Sequence, residues 1–426
     1  MISRFLAGAA VAWLIMAGIV VGRFADEALP ASYLIRPLAV AAALAVVIGV
    51  GTIVSGRHAA VTAAGAALLL SLAKPATALV LIGVIIALEL LRRRRGLPVD
   101  SRRPVLVLAA VFFGVGFLRA APLIDLPTAG EQVVLDGPPA YLILVDGYPR
   151  MDTLAALGID NGPFVAALEE QGFDHYPNAH SVHGYTHKTL LAMLTGEVVQ
   201  DGPSDAAEKR AIRARLLVPP GFTAIDPPVG HVTLSDGVHV DAGGITDFEA
   251  HLLAQSAAGT VLPDWTWAFL VSNLRIQLDD ELDLIETSDS QQVIVHLMSP
   301  HPPFLFARGG TSAAKRGCWP DCLLFDSTIE NLDISADEWA RRMEGQLDGL
   351  NARLLETIGR LLSAHPDAVI VLFSDHGGRY TFEEPEEWHR SFLSARTPGH
   401  PGLLSAEPRP DVIMRLLMET YFPGET

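Results

Sequence analysis

Hydrophobic positions along this 426-residue chain change character near residue 120. Up to there they come in blocks, roughly 5–22, 37–54, 59–73, 76–91 and 104–118, separated by short polar or basic stretches. Such blocks predict membrane-spanning helices, and several need their flanks to reach the ~20 residues that cross a bilayer upright. The third and fourth also fit one tight hairpin around Lys74-Pro75. Beyond residue 140 the apolar runs shorten. Continuous runs at 141–145, 293–297 and 369–373 predict strands buried on both faces, as in a parallel sheet. Helical periodicity lies between and after them, at 161–171 (closed by Gly172), 187–194, 205–217, 336–364 and 411–421. In 336–364, Leu347, Leu350, Leu354, Leu355, Ile358 and Leu361 share one face. The alternation predicts an α/β fold with a mostly parallel sheet flanked by helices. An all-α transmembrane region of about five helices precedes it. The expected organisation is a membrane region over 1–121, a linker rich in Pro and Gly over 122–139, and one domain over 140–426.

Composition sharpens this division. Half of the residues are hydrophobic, and the mean hydropathy of +0.32 is high for a wholly soluble domain. Residues 1–120 carry 12 Lys/Arg against 4 Asp/Glu, whereas the remainder carries 19 against 44. The acidic part is a poor partner for phosphate backbones, so no nucleic acid is expected. The run Arg92–Arg95 with Arg102 and Arg103 predicts a cytoplasmic loop after the fourth block. Five crossings then leave everything from about residue 120 outside the cytoplasm, in a multi-pass protein of the plasma membrane. Cys318 and Cys322 are the only cysteines. They are too few for a structural zinc site, and both a local disulfide and two free thiols remain open.

The candidate chemistry sits where the strands end. The first strand runs into Asp146, the second is followed by His301, and the third by Asp375 and His376. If the three are parallel neighbours, these residues share the carboxyl rim where α/β sheets bind ligands. Aspartates and histidines there suit a divalent ion such as Mn, Zn, Mg or Ca. Gly184-Tyr185-Thr186 precedes a helix, which puts Thr186 near the N-cap or first turn. A hydroxyl there is either a cap or a nucleophile favoured by the positive end of the helix dipole.

Taken in order, Leu144-Val-Asp-Gly147, Thr186-x-x-Thr-x-x-Ala-x-Leu-Thr-Gly196, His296-Leu-Met-Ser-Pro-His-Pro-Pro-Phe304, Ser374-Asp-His-Gly377 and His389-Arg-Ser-Phe-Leu-Ser-Ala-Arg-Thr-Pro-Gly399 resemble the alkaline phosphatase/sulfatase-like superfamily. The resemblance is to its membrane-anchored branch, which includes lipoteichoic acid synthases and phosphoethanolamine transferases, and it covers most of 140–400. It implies that Asp146, Thr186, Asp375 and His376 bind one divalent metal ion, with Thr186 also the nucleophile. His301, Arg390 and Lys188 would contact the substrate's oxygens. The implied reaction is transfer or hydrolysis of a phosphate ester, lipid- or envelope-linked, through a covalent phospho-threonine. Two departures narrow it. The Cys or Ser with Pro and Arg of true sulfatases is absent, Thr186 standing in that place, and the Asp-x-x-x-His element of two-zinc members is missing around His296 and His301.

The same fold also allows hydrolysis of sulfate esters or soluble phosphodiesters, and a catalytically inactive membrane sensor or scaffold is the alternative of another class. Among the other polar residues, His296 reads as core-facing or as support for a ligand, and Arg150 and Asp152 as shaping a turn. His180, His183 and His187 read as solvated loop histidines. Trp265, Trp267 and Phe269 read as packed under a loop or laid against a bilayer.

Overall fold

The computed structural model describes residues 2–25, 27, 29–53, 62–67, 94, 102–121, 134–227, 229–235, 237–240, 242–288, 290–306 and 328–424. These divide into two units, Met1–Leu126 with Thr246–Ala268, and Pro127–Ile245 with Phe269–Thr426. The helices used below are α1 (Ile2–Phe24), α2 (Ile35–Thr52), α3 (Arg102–Ala120), α4 (Gly162–Glu170), α5 (Thr186–Thr195), α6 (Ala206–Arg213), α7 (Asp247–Ala254), α8 (Ala257–Val261), α9 (Pro263–Thr287), α10 (Ala336–Ala364) and α11 (Ile413–Tyr421).

In the first unit, α2 buries small residues and exposes large apolar ones. Ala41, Ala45 and Gly49 face inward while Val40, Val46, Val47 and Val50 face out. A helix in water has the reverse pattern, because exposed Val and Leu side chains lose the gain of burial. Small residues let the backbones approach, as in helix pairs that pack in lipid. A Cβ on Gly49 would meet Ala9 and Phe5, and one on Gly116 of α3 would meet the Gly18 backbone oxygen at 2.9 Å. Among the described residues two helical stretches, Ile2–Phe24 and Ala31–Thr52, are long and apolar enough to cross a membrane, rather than the five expected. The apolar part of α3 is the shorter Val105–Leu118. The blocks at 59–73 and 76–91 lie outside the described residues except for 62–67, as do the two cysteines. The unit also takes in Thr246–Ala268, from within the stretch 140–426 that the sequence reads as one domain.

The second unit is built on a seven-stranded sheet in the order β2-β7-β6-β1-β5-β3-β4. The strands are β1 (Ala140–Val145), β2 (Asp174–His175), β3 (Thr223–Ile225), β4 (Val238–Val240), β5 (Gln292–Leu297), β6 (Val369–Phe373) and β7 (Leu393–Arg396). β1 is parallel to β5 on one side and to β6 on the other, with Val145 opposite Leu297 and Leu144 opposite Phe373. β3 and β4 extend the parallel part, and β7 and β2 add an antiparallel edge. Every residue of β1, β5 and β6 is buried, which is why their sequences run apolar without alternation. α10 keeps Leu347, Leu350, Leu354, Ile358 and Leu361 buried, and Ser335 caps it by accepting from the Glu338 N–H. α6 ends at Arg213, short of the expected 217, and Leu217 forms a bridge to Ser235. The 25-residue α9 stands where the sequence singled out only Trp265, Trp267 and Phe269 and predicted no helix.

Candidate active site

Because β6, β1 and β5 lie side by side in parallel, their carboxyl ends share one rim. Asp146 follows β1 directly, and its N–H donates to Leu297 O at 2.9 Å while its carbonyl accepts from the His301 N–H at 3.0 Å. These two bonds tie the end of β1 to the loop carrying His301. Gly147 turns the chain with φ +65°, and a Cβ there would lie 3.3 Å from His376 Cε1, so a larger residue would crowd that ring. Beyond β6, Ser374 Oγ accepts from Tyr148 N–H at 2.8 Å and donates to His376 O at 2.6 Å.

Asp146, Asp375 and His376 are all buried and present ligand atoms within 4.8 Å of one another. Each aspartate is held by one oxygen and presents the other. Asp146 Oδ2 lies 2.9 Å from His296 Nε2, leaving Oδ1 3.5 Å from His376 Nε2. Asp375 Oδ1 accepts from Gly147 N–H at 3.1 Å, leaving Oδ2 3.3 Å from His376 Nε2. His376 Nδ1 faces the Gly377 carbonyl at 2.7 Å, so this nitrogen carries the proton and Nε2 offers its lone pair. Asp146 Oδ1, Asp375 Oδ2 and His376 Nε2 make no hydrogen bond. Buried polar atoms are seldom left so, and three converging oxygen and nitrogen atoms of this kind could hold a cation. Burial opposes ionisation of Asp146, but the hydrogen bond from His296 and the field of the surrounding histidines outweigh it, holding the carboxyl below its ordinary range.

Thr186 is the first residue of α5. Tyr185 is the N-cap and makes no side-chain cap bond, and the Thr186 hydroxyl donates to Asp146 Oδ2 at 3.4 Å rather than capping the helix. α5 is anchored beside the rim by Thr189, whose hydroxyl donates to Asp375 O at 3.0 Å. Thr186 therefore stands at the edge of the carboxylate cluster, at the positive end of a helix.

The remaining expected residues divide. His301 is buried at the rim, and burial pushes its imidazole below the usual value. Its Nδ1 donates to Pro302 O at 2.8 Å, so Nε2 accepts, and Arg379 Nη2 lies 3.4 Å from it. Lys188 instead pairs with Glu208 at 3.2 Å and donates to Gln200 O at 2.7 Å. Arg390 pairs with Glu387 at 2.6 Å and lies 3.6 Å from Asp152. No contact joins either side chain to the cluster.

The cation beside His301 is Arg379, which the sequence reading did not single out. Its guanidinium lies 5.4 Å over the Tyr185 ring and 6.0 Å from Trp388. Its place three residues after His376 was the available signal. His296, left between two readings, contacts Asp146 directly. His183 and His187, read as solvated, are buried. Burial, followed by the field of Lys209, pushes His187 down to about 3. Arg150 and Asp152 form a two-bond pair that shapes the turn after β1, as expected.

Fold and cluster together define an α/β protein with three buried side chains that could hold a metal ion at the carboxyl rim of its sheet. No protein-family model and no curated protein matches the chain. It is similar to the solved C-terminal periplasmic domain of EcEptC from Escherichia coli, with 12% identity over 71% of this chain and 88% of that one, at a TM-score of 0.36. It is similar to the lipooligosaccharide phosphoethanolamine transferase EptA of Neisseria meningitidis, with 12% identity over 91% and 73%, at a TM-score of 0.34. A phosphonate monoester hydrolase of Agrobacterium radiobacter shares 16% identity over 66% and 73%, at a TM-score of 0.38. The chemistry is read from the cluster's own geometry.

Proposed function

We propose that the chain is a membrane-bound, metal-dependent enzyme of the sulfatase-like type that transfers or hydrolyses phosphate esters through a covalent phospho-threonine. The observation that carries this reading is the convergence of Asp146 Oδ1, Asp375 Oδ2 and His376 Nε2, three buried atoms without hydrogen bonds, beside the Thr186 hydroxyl. These residues, with Thr186 Oγ1, would hold one divalent ion. When bound, the ion would lower the pKa of the hydroxyl and neutralise charge on the phosphoryl oxygens.

Thr186 Oγ1 gives up its proton to solvent and attacks phosphorus, and the ester P–O bond breaks as the leaving alkoxide takes up a proton from solvent. Water or an acceptor alcohol then attacks the phospho-threonine, the Thr186 Oγ1–P bond breaks, and the hydroxyl is restored. The α5 N-terminus favours negative charge at that oxygen. His296 keeps Asp146 oriented, and Arg379, steadied by Tyr185 and His301, supplies a planar donor pair to the substrate's oxygens.

The inside-out helices of the first unit support a bilayer as partner, and they make a lipid-linked phosphate ester the favoured substrate class. In this reading about five spans occupy 1–121, 122–139 is a linker, and the catalytic domain from residue 140 lies outside the cytoplasm.

The test is purified full-length protein assayed on chromogenic phosphate mono- and diesters and on a sulfate ester, with mass spectrometry of enzyme quenched during turnover. Phosphate on Thr186 and loss of turnover in Thr186→Ala are expected. Turnover that survives Thr186→Ala overturns the covalent mechanism.

A further inference from the structure

Residues 246–268 belong to the same unit as the apolar helices, although they follow them in sequence by more than a hundred residues. Their attachment is specific. Thr246 begins α7 with a capping box closed by Glu249, so the helix start is well defined. Phe248, with Leu252 beside it, packs into a cluster of Val20, Val21, Phe24, Leu34 and Ala120. The Phe248 and Phe24 rings meet edge to face at 6.3 Å, and Glu249 pairs with Arg36 at 3.1 Å. These partners are the last turns of α1 and α3 and the first turn of α2. The segment thus caps one common end of three apolar helices, where a membrane-spanning bundle meets the headgroup layer.

From this cap the chain continues through α8 to the start of α9, turning at Leu262 (φ −126°, ψ 53°), whose N–H donates to Ala258 O while Thr266 N–H donates to Leu262 O. Gly259 lies against the end of α7, where a Cβ would fall 2.2 Å from Ala254 O. Within this stretch Trp267 is buried, while Val261, Leu262 and Trp265 are 73%, 54% and 59% exposed. Three large apolar side chains on one short surface, one of them tryptophan, are expensive to leave in water. They suit the boundary between headgroups and acyl chains, where an indole places its ring in the apolar layer and its N–H in the polar one.

We propose that Val261, Leu262 and Trp265 form a membrane-surface anchor, inserted into the leaflet at the α1 C-terminal end. The occupant is the lipid bilayer itself, because the surface continues the cluster that closes the ends of the apolar helices. The inference rests on the membrane reading of α1 and α2 and is independent of the chemistry at Thr186.

The experiment uses the full chain with Cys318→Ser and Cys322→Ser, reconstituted in phosphatidylcholine/phosphatidylglycerol nanodiscs. An environment-sensitive fluorophore is attached at Leu262→Cys, at Val261→Cys as a second reporter, or at Val47→Cys, which is 68% exposed on α2. Lipids with a quencher near the headgroup or near the chain end are compared. Val47 should lose more fluorescence to the deep quencher, and positions 261 and 262 more to the shallow one. Quenching at Val47 with none at 261 or 262 overturns the anchor. No quenching at any of the three overturns the membrane reading, and the anchor with it. Shielding at 261 and 262 that depends on protein concentration and not on the lipid quencher assigns the surface to a second copy and also overturns the anchor.

Discussion

His296 holds Asp146 from behind. Its Nε2 lies 2.9 Å from Oδ2, and this turns Oδ1 toward His376 Nε2, 3.5 Å away. The contact is possible because Leu144 and His296 are register partners on adjacent parallel strands, so Asp146 emerges just beyond the imidazole. His296→Ala should weaken metal binding about 10–100-fold, the usual effect of removing a ligand's supporting hydrogen bond. Chelator competition measures the affinity, and circular dichroism checks the fold. An unchanged affinity would show that Asp146 needs no such support.

Arg379→Gln should lower kcat/KM for a phosphate ester about 10–100-fold, the value of a charge-assisted hydrogen bond of ~1.5–3 kcal/mol. Metal content should stay the same, because the guanidinium contacts His301 and the rings of Tyr185 and Trp388 rather than the three orphaned atoms. Lys188→Gln and Arg390→Gln should have smaller effects on KM, since those cations pair with Glu208 and Glu387. Steady-state kinetics on the four proteins decides the order.

Gly377→Ala should destabilise the second unit by about 1–3 kcal/mol, the cost of overpacking. A Cβ there would meet the backbone oxygens of Glu387 at 2.1 Å and Arg390 at 2.7 Å, neither of which can rotate away. The same displacement reaches His376 next to it, so metal affinity should fall together with the melting temperature. Thermal unfolding with and without added metal separates the two effects.

Glu281 is buried in α9, and burial pushes its carboxyl well above the ordinary 4.5. Above that value the folded protein binds this proton more tightly than the unfolded chain does. The stability it contributes is therefore complete below 4.5 and declines as pH rises toward its raised folded value. Glu281→Gln, which keeps the contact with Gln277, should remove a slope of up to about 1.4 kcal/mol per pH unit in that window. The variant should melt higher than the parent at mildly alkaline pH and show little difference at acid pH.

Much of the fold was legible because its strongest signals are local. β6 and α10 stand at the expected bounds, since a continuous apolar run and a heptad-like stripe are each complete within their own segment. β2, β3 and β4 were not legible. They are two or three residues long and gain their stability from the neighbouring strand rather than from their own sequence. α9 was legible but went unread: Trp267, Leu270, Leu274, Leu278, Leu282 and Ile285 recur at helical spacing and are buried, beneath a mask of intervening acidic residues.

The same division runs through the site. By itself the sequence determined that Asp146 closes β1 and that Asp375 and His376 follow β6, because each ends a continuous apolar run of the kind a buried parallel strand needs. It could not decide which cation stands there. Lys188 follows Thr186 by two residues, Arg379 follows His376 by three and Arg390 follows it by fourteen, but side-chain direction depends on which carboxylates and rings surround each one. Arg390 met Glu387 locally, three residues before it, but only the tertiary structure turned Lys188 to Glu208 and set Arg379 against His301 and Tyr185. It likewise decided that His296 faces Asp146, since that contact needs the register of two strands about 150 residues apart. Spacing along the chain encodes local periodicity, whereas a charge finds its partner through packing among residues that the sequence keeps far apart.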